Sequence, residues 1–189
     1  MSWTAVVPMK QGPERKSRLA SRLSDQVRAT LSDHMAAHVL ECLHESPSIG
    51  RIVILSPTPV ADGRFAWAQD QGRGLNEELT AFRTREPAQS MIFIHGDLPL
   101  LVPEEIEALI QAAGGGCALA PDRHGSGTNA IALMAAAPFE FAFGENSLAL
   151  HRTTSGRRAA IVRRLGLSLD VDTPDDLDAA IAAGFSMPN

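Results

Sequence analysis

The sequence has few cysteines and no long hydrophobic run, and both absences exclude classes of protein. Only Cys42 and Cys117 occur in 189 residues, and they form no C-x-x-C pair. Both lie in apolar surroundings, so we expect buried free thiols. No apolar run approaches the roughly 20 residues that a membrane-spanning helix needs. The chain runs from Met1 straight into a strand-like segment without a secretory signal pattern, so we expect a cytoplasmic protein with no membrane contact.

An excess of positive charge is also missing. The formal net charge of −5 at pH 7 argues against a surface that binds nucleic acid or anionic membranes. It does not exclude small anionic substrates, because a local cluster of Lys and Arg still concentrates positive potential in a cleft. With 44% apolar and 21% charged residues, the composition is typical of a soluble globular protein. We find no repeat or linker and predict a single domain over residues 1–189.

Short apolar runs alternate with longer helical patterns along the chain. This alternation predicts an α/β fold with three layers, α/β/α, around a mostly parallel sheet. The longest helical pattern has apolar residues every four positions: Leu23, Val27, Leu31, Met35, Val39 and Leu43. The predicted strands are Trp3–Pro8, Arg51–Ser56, Phe65–Ala68, Met91–Ile94, Cys117–Ala120, Asn129–Leu133 and Leu167–Val171. The predicted helices are Asp25–His44, Leu75–Arg85, Ser147–Thr154 and two that begin at Pro103 and Pro174.

A basic loop follows the first predicted strand. It carries Lys10, Arg15, Lys16 and Arg18, which would neutralise the charge of a polyphosphate. The loop has neither the Walker spacing nor a G-x-G-x-x-G pattern, so it predicts neither of those nucleotide-binding folds. A solvated basic loop remains the alternative.

Asp97 follows the predicted central strand, in the segment His95-Gly96-Asp97-Leu98-Pro99. A carboxylate at the end of a buried strand is well placed to bind Mg²⁺, which prefers oxygen ligands and is often shared with substrate phosphates. The next predicted helix begins near Pro103, too far away for Asp97 to cap it. We therefore interpret Asp97 as a metal ligand and His95 as a structural neighbour.

Two further acids, Asp170 and Asp172, share one face of the last predicted strand. Thr173 and Asp176 match a capping box with Pro174 at the first helical position, so capping accounts for Asp176. It does not account for Asp170 and Asp172. Two acids side by side repel each other, and a cation between them and Asp97 would remove that repulsion.

These segments together resemble the guanylyltransferases that activate a small phospho-acid in deazaflavin coenzyme biosynthesis, namely the 2-phospholactate and phosphoenolpyruvate guanylyltransferases. Their nucleotidyltransferase fold is shared with glycosyltransferase type A enzymes and with nucleotide-diphospho-sugar transferases. The resemblance covers nearly the whole chain. The matching segments are Pro8–Lys10 with Lys16–Ala20, Gly74–Asn76, Gly96–Pro99, Pro121–Asn129, Phe143–Ser147 and Asp170–Pro174.

The resemblance implies a role for each residue in these segments. The metal ligands for Mg²⁺ would be Asp97 and Asp172, with Asp170 as a third. Thr128, Gly144 and Ser147 would hold the carboxylate of the phospho-acid, and the start of a helix at Ser147 would offer free N–H groups to that anion. The implied residues for binding GTP are Pro8, Lys10, Lys16, Ser17, Arg18, Ser56, Gly74, Leu75 and Asn76.

The expected reaction is an attack by the phosphate of the acid on the α-phosphorus of GTP, with catalysis by Mg²⁺, Lys16, Arg18 and Asp97. The acceptor would be 2-phospholactate, phosphoenolpyruvate or 3-phosphoglycerate. One alternative is a nucleotidyltransferase acting on the molybdenum cofactor or on a sugar phosphate. Another is a non-catalytic nucleotide-binding module with the same fold. The oligomeric state is left open, with a homodimer as one alternative.

Overall fold

The computed structural model describes residues 2–12, 15–60, 62–155 and 159–188, and its strands form one sheet. The strands are β1 (Trp3–Pro8), β2 (Ile49–Ser56), β3 (Ala66–Gln69), β4 (Met91–Ile94), β5 (Cys117–Pro121), β6 (Thr128–Leu133) and β7 (Ala160–Ile161). Their order across the sheet is β3-β2-β1-β4-β6-β5-β7. Strand β6 is antiparallel to its neighbours β4 and β5, and the other neighbouring pairs are parallel. The predicted, mostly parallel sheet is confirmed.

Helices cover both faces of this sheet. They are α1 (Asp25–Glu45), α2 (Leu75–Arg85), α3 (Pro103–Ala112), α4 (Ser147–Thr154), α5 (Leu165–Ser168) and α6 (Pro174–Ala182). Helices α1 and α3 pack on one face of the sheet, and α2 and α4 pack on the other. Helix α6 packs against α1 in a third apolar cluster. The three predicted layers are therefore present.

The four-residue apolar spacing of α1 predicts its buried face correctly for most of its length. Val27 is the exception, since it is 38% exposed while the neighbouring Arg28 is buried. The Ser24 hydroxyl caps the helix by accepting from the Val27 N–H at 3.4 Å. The fully buried positions of the spacing are Leu31, Met35, Val39 and Leu43.

The predicted strand Leu167–Val171 is wrong. Residues Leu165–Ser168 form the short helix α5 instead, and an extended segment leads from it to α6. Apolar and polar residues alternate here because Leu167 is buried in one core cluster, whereas Leu169 and Val171 are buried in another. The alternation therefore marks three buried residues that do not share one sheet face. The two-residue strand β7 was not predicted.

Cys42 and Cys117 are buried free thiols, as expected. Among the described residues, no helix combines the length and the hydropathy needed to cross a membrane.

Candidate functional site

Three carboxylates meet beyond the carboxyl end of β4. One oxygen of each of Asp97, Asp170 and Asp172 lies within 4.8 Å of the others. Asp97 Oδ1 is buried and has no hydrogen-bond partner among the described residues. A buried carboxylate oxygen needs a donor or a cation, and such oxygens are the ligands that Mg²⁺ prefers. The cluster brings the three predicted ligands together and fits a divalent metal ion.

Backbone hydrogen bonds hold this acid cluster in place. The Val171 N–H donates to the Asp97 carbonyl at 3.2 Å, which ties the segment before α6 to the end of β4. The Asp176 carboxylate accepts from the N–H groups of Asp172 and Thr173 at 3.2 and 2.8 Å. Thr173 and Asp176 form the expected capping box. The box therefore starts α6 and also fixes the backbone that carries Asp172.

The titration of Asp170 reflects the crowding of negative charge. Burial, followed by the charge of Asp97, raises the pKa of Asp170 to about 6. Asn129 donates to Asp170 Oδ1 at 3.0 Å, which favours the ionised form without reversing the shift. Carboxylates crowded in this way repel each other when ionised, and a cation between them removes that repulsion. The raised pKa therefore agrees with a cation-binding role.

Lys16 supplies positive charge to the cluster. Its Nζ lies 2.5 Å from Asp97 Oδ2 and 2.7 Å from Asp172 Oδ1. Burial acts to lower the pKa of Lys16, but the charges of Asp97 and Asp172 outweigh it and raise the pKa. Burial acts to raise the pKa of Asp97, but Lys16, followed by His95, brings it below its ordinary value. The residue predicted to bind phosphate thus pairs here with two predicted metal ligands.

The backbone of Lys16 adopts a left-handed conformation, and its side chain points towards the acid cluster. Lys16 has φ 55° and ψ 39° and precedes the 3-10 turn Ser17–Leu19. A non-glycine residue pays a steric cost in this conformation, so the surrounding structure must impose it. The Leu19 N–H donates to the Lys16 carbonyl at 2.9 Å, and the Leu19 side chain is fully buried. The apolar anchor at Leu19 therefore positions the ammonium of Lys16.

A cavity of about 610 Å³ opens at the same edge of the sheet. Its position beyond the carboxyl ends of β1, β2 and β4 is where ligands bind in parallel α/β sheets, and its volume suits a small molecule. Asp70 and Glu78 also line it and were not predicted. The predicted site residues that line the cavity are Pro8, Lys10, Lys16, Ser17, Arg18, Gly74, Leu75, Asp97 and Asp172.

Two predicted nucleotide-binding residues are not part of the lining of this cavity. Ser56 is fully buried, and its hydroxyl donates to the Thr58 carbonyl at 2.8 Å. The Asn76 amide donates to the Phe143 carbonyl at 3.1 Å and accepts from the Phe143 N–H at 2.7 Å. Both side chains thus bond to the backbone of nearby loops, and their direct contact with a nucleotide stays a prediction.

Glu78 organises the loop before α2. This buried carboxylate accepts from the N–H groups of Gln71 and Arg73 at 2.9 and 3.2 Å. The Arg73 guanidinium adds bonds of 3.0 and 2.8 Å and lowers the pKa of Glu78 to about 2. In the sequence, Glu78 is recognisable only as an acid near the start of α2. The favourable interaction of an acid with a helix N-terminus is enough to explain such a residue, so the sequence does not mark it as functional.

The predicted carboxylate-binding residues Thr128, Gly144 and Ser147 lie together, but none of them is part of the lining of the cavity. The hydroxyls of Thr128 and Ser147 are 3.4 Å apart. The Ser147 N–H donates to the Gly144 carbonyl at 3.2 Å, and the Leu148 N–H donates to the Ser126 carbonyl at 3.1 Å. The expectation of free N–H groups at this helix end is therefore wrong for these two residues, because the preceding loop folds back onto them.

His151 is a residue of this region that the sequence did not single out. It is fully buried, and its Nε2 accepts from the Ala142 N–H at 2.9 Å. Its Nδ1 lies 3.0 Å from Thr128 Oγ1. Burial, followed by the nearby charge of His95, lowers the pKa of His151 to about 4. The available signal was its spacing of four from Ser147, which puts both residues on one face of α4.

Lowering the pH should destabilise the fold because His151 becomes protonated. The unfolded chain takes up this proton near pH 6.5, whereas the folded chain takes it up only near pH 4. The free energy of unfolding should therefore fall across that window by up to about 3 kcal/mol. Asp170 acts in the opposite direction, since its raised pKa makes the folded state bind a proton first as the pH falls.

A matched variant separates these two contributions. Urea unfolding in EDTA is compared for the wild type and His151→Gln between pH 7 and pH 4. We expect the variant to be less stable at pH 7 and the difference to shrink towards pH 4. A difference that stays constant with pH would show that His151 does not carry this effect.

Comparison with known proteins gives consistent matches over nearly the whole chain. The family model described as guanylyl transferase CofC like matches residues 3–186. A phosphoenolpyruvate guanylyltransferase of Sphaerobacter thermophilus is 39% identical, covering 94% of this chain and 92% of that protein. One of Rubrobacter xylanophilus is 36% identical, covering 97% and 96%. A solved 2-C-methyl-D-erythritol 4-phosphate cytidylyltransferase of Thermus thermophilus has a TM-score of 0.61 at 12% identity, covering 97% and 98%.

The structural match shows the nucleotidyltransferase fold, and the family model together with the two relatives shows the family. The resemblance inferred from the sequence segments is thereby confirmed. The chain belongs to the CofC-like guanylyltransferase family and is a nucleotidyltransferase.

Proposed function

We propose that this protein transfers GMP from GTP to the phosphate of a small phospho-acid, with release of pyrophosphate. The proposed acceptors are 2-phospholactate, phosphoenolpyruvate and 3-phosphoglycerate, and the proposed metal is Mg²⁺. The whole chain, residues 1–189, acts as one nucleotidyltransferase domain in this proposal. The product would serve deazaflavin coenzyme biosynthesis, as in the family that the sequence resembles.

The observation that carries this proposal is the acid cluster at the edge of a cavity lined by a basic loop. Asp97, Asp170 and Asp172 offer oxygen ligands within 4.8 Å of one another. Lys16 and Arg18 line the same cavity. A metal site beside two cations is what a triphosphate requires, because its charge must be neutralised before an anion can attack it. The relatives named as phosphoenolpyruvate guanylyltransferases support the choice of guanylyl group and acceptor.

The chemistry needs no general base. A phosphate oxygen of the acceptor forms a bond to the α-phosphorus of GTP, the bond from that phosphorus to the bridging oxygen breaks, and pyrophosphate leaves. The attacking phosphate is already an anion at neutral pH, since its second pKa is about 6. Catalysis then comes from positioning and from charge neutralisation.

The chain's own residues divide this work. Lys16 and Arg18 would neutralise the phosphates of GTP, with Lys16 leaving the carboxylates that it now contacts. Thr128, Gly144 and Ser147 would hold the carboxylate of the acceptor. A divalent cation held by the acid cluster would supply further charge neutralisation at the α-phosphate.

A matrix of substrates tests the proposal. Pyrophosphate release is measured for GTP, CTP, ATP and UTP against each of the three phospho-acids, with Mg²⁺ and with EDTA. We expect release with GTP and at least one of these acids, and none in EDTA. Activity only with a sugar phosphate or with the molybdenum cofactor would favour those transferases instead. Mg²⁺-dependent binding of GTP in a calorimeter without pyrophosphate release would favour a non-catalytic module.

A further inference from the structure

We propose that His151 is a positioning residue that makes the Thr128–Ser147 hydroxyl pair a hydrogen-bond donor towards an ionised carboxylate. This inference rests on the proposed function, in which that pair holds the acceptor's carboxylate. It assigns a role to the buried side chain of His151, which contacts Thr128 of that pair.

The backbone fixes the tautomer of His151. The Ala142 N–H donates to Nε2 at 2.9 Å, and a backbone amide N–H only donates. Nε2 therefore carries a lone pair, and the proton of the neutral ring sits on Nδ1. The lowered pKa, about 4, keeps the ring neutral at physiological pH. Nδ1–H consequently donates to Thr128 Oγ1, which lies 3.0 Å away.

This donation decides where the hydroxyl protons point. Thr128 and Ser147 each have one hydroxyl proton, and their oxygens lie 3.4 Å apart. Because His151 donates to Thr128, neither hydroxyl proton is directed at the ring. One proton joins the two hydroxyls, and the other points out of the pair. A group with lone pairs and no proton, such as a carboxylate, accepts it, whereas an ammonium group has no lone pair to offer.

Burial makes this arrangement selective. Thr128 and Ser147 are 3% and 2% exposed, so water contributes little to satisfying the outgoing donor. A buried donor left unmatched is costly, and a charged acceptor gives a stronger bond than a neutral one. Asn129, the neighbour of Thr128, donates to Asp170. The backbone of β6 thus connects the hydroxyl pair with a residue that contacts the acid cluster.

Aromatic packing holds the imidazole in this orientation. The ring of Phe143 meets the His151 ring edge to face at a centroid distance of 4.9 Å. The centroid of the Phe139 ring lies 5.3 Å from that of His151. Phe143 also stands next to Gly144, the third residue of the proposed carboxylate site. His151 therefore links β6, the loop before α4 and α4 itself.

Nitrogen NMR tests the tautomer without any ligand. The protein is labelled with ¹⁵N-histidine, and the His151 signals are assigned by their loss in His151→Gln. We expect the neutral tautomer with its proton on Nδ1. A proton on Nε2, or a charged ring at neutral pH, overturns the inference. This result does not depend on whether the protein turns over any phospho-acid.

A double-mutant cycle then tests the function of the pair. Thr128→Val removes the hydroxyl at nearly constant shape, and His151→Leu removes the donor behind it. We expect each variant to raise the KM for the phospho-acid roughly tenfold, the size of one hydrogen bond to a charged group, with the KM for GTP unchanged. The double variant should be no worse than Thr128→Val alone, because His151 acts through Thr128.

His151→Asn is the matched control, since its amide places a donor near the position of Nδ1. It should recover most of the affinity for the acceptor that His151→Leu loses. Three results would contradict the proposal: additive effects in the cycle, no rescue by asparagine, or an equal rise in the KM for GTP. Each would show that His151 contributes to packing and does not position the hydroxyl pair. A wild type without phospho-acid activity would overturn the proposed function, and the NMR result would still decide the tautomer.

Discussion

Replacing Asp97 with asparagine should lower kcat by about 100-fold or more, equivalent to about 3 kcal/mol in the activation free energy. Asparagine keeps the size of the side chain but removes its negative charge and one anionic ligand. Asp97 Oδ1 is the cluster's buried oxygen without a partner among the described residues, so it is the atom best placed to bind a cation. Initial rates of pyrophosphate release at saturating Mg²⁺ measure the effect.

Neighbouring acids provide graded controls for this substitution. Asp172→Asn should cause a loss of similar size, since Asp172 shares Lys16 with Asp97. Asp170→Asn should cause a smaller loss, because the pKa of Asp170 is already raised to about 6 and Asn129 supports it. Asp175 is an exposed acid in the first turn of α6, and Asp175→Asn should change kcat by less than about twofold. An Asp97→Asn enzyme within about threefold of wild type would remove Asp97 from the mechanism.

Much of the fold follows from apolar patterns in the sequence. Residues Met91–Ile94 are apolar throughout, and they form a buried strand with neighbours on both sides. Helix α2 and helix α4 begin and end where the patterns predict. The segment Leu167–Val171 shows the limit of this reasoning, because alternating burial there comes from two separate cores. A local pattern reports which residues are buried, but it does not report what buries them.

The sequence allowed prediction of those candidate site residues that local structure, such as helix capping, does not explain. Asp97 could not cap the next helix, and capping left Asp170 unexplained as well. His151 was missed because its contact with Thr128 exists only in the folded chain, 23 residues apart in sequence. Glu78 was missed although its partner Arg73 is only five residues away, because an acid near a helix start is already explained by helix-end electrostatics. Similarly, no local pattern shows that the Asn76 amide is bonded to a loop 67 residues further along the chain.

The ammonium of Lys16 contacts two of the three proposed metal ligands and should therefore oppose metal binding. Its Nζ contacts the carboxylate oxygens of Asp97 and Asp172 at 2.5 and 2.7 Å. Mg²⁺ binds its oxygen ligands at about 2.0–2.1 Å, so the ammonium and the metal compete for these carboxylates. In the metal-free protein Lys16 therefore stabilises the crowded acids, and a bound metal ion would repel its ammonium.

Replacing Lys16 with methionine should therefore have two opposite effects. The affinity for Mn²⁺ without nucleotide, measured by calorimetry, should rise roughly tenfold, since no ammonium then repels the metal ion. Turnover should nevertheless fall about 100-fold, because the charge that neutralises the phosphates is gone. The melting temperature in EDTA should also fall, since three carboxylates then face one another without a cation.

Lys10 is the matched control, because it is the only other lysine in the chain and lies exposed at the same cavity. Lys10→Met removes the same charge without touching the acid cluster. It should leave the Mn²⁺ affinity and the melting temperature in EDTA unchanged, while the KM for GTP rises. If Lys16→Met weakened Mn²⁺ binding, or if Lys10→Met strengthened it equally, the contact with Asp97 and Asp172 would not control access of the metal. The short distances to these two carboxylates predict the opposite, because an ammonium this close repels a metal ion bound to the same carboxylates.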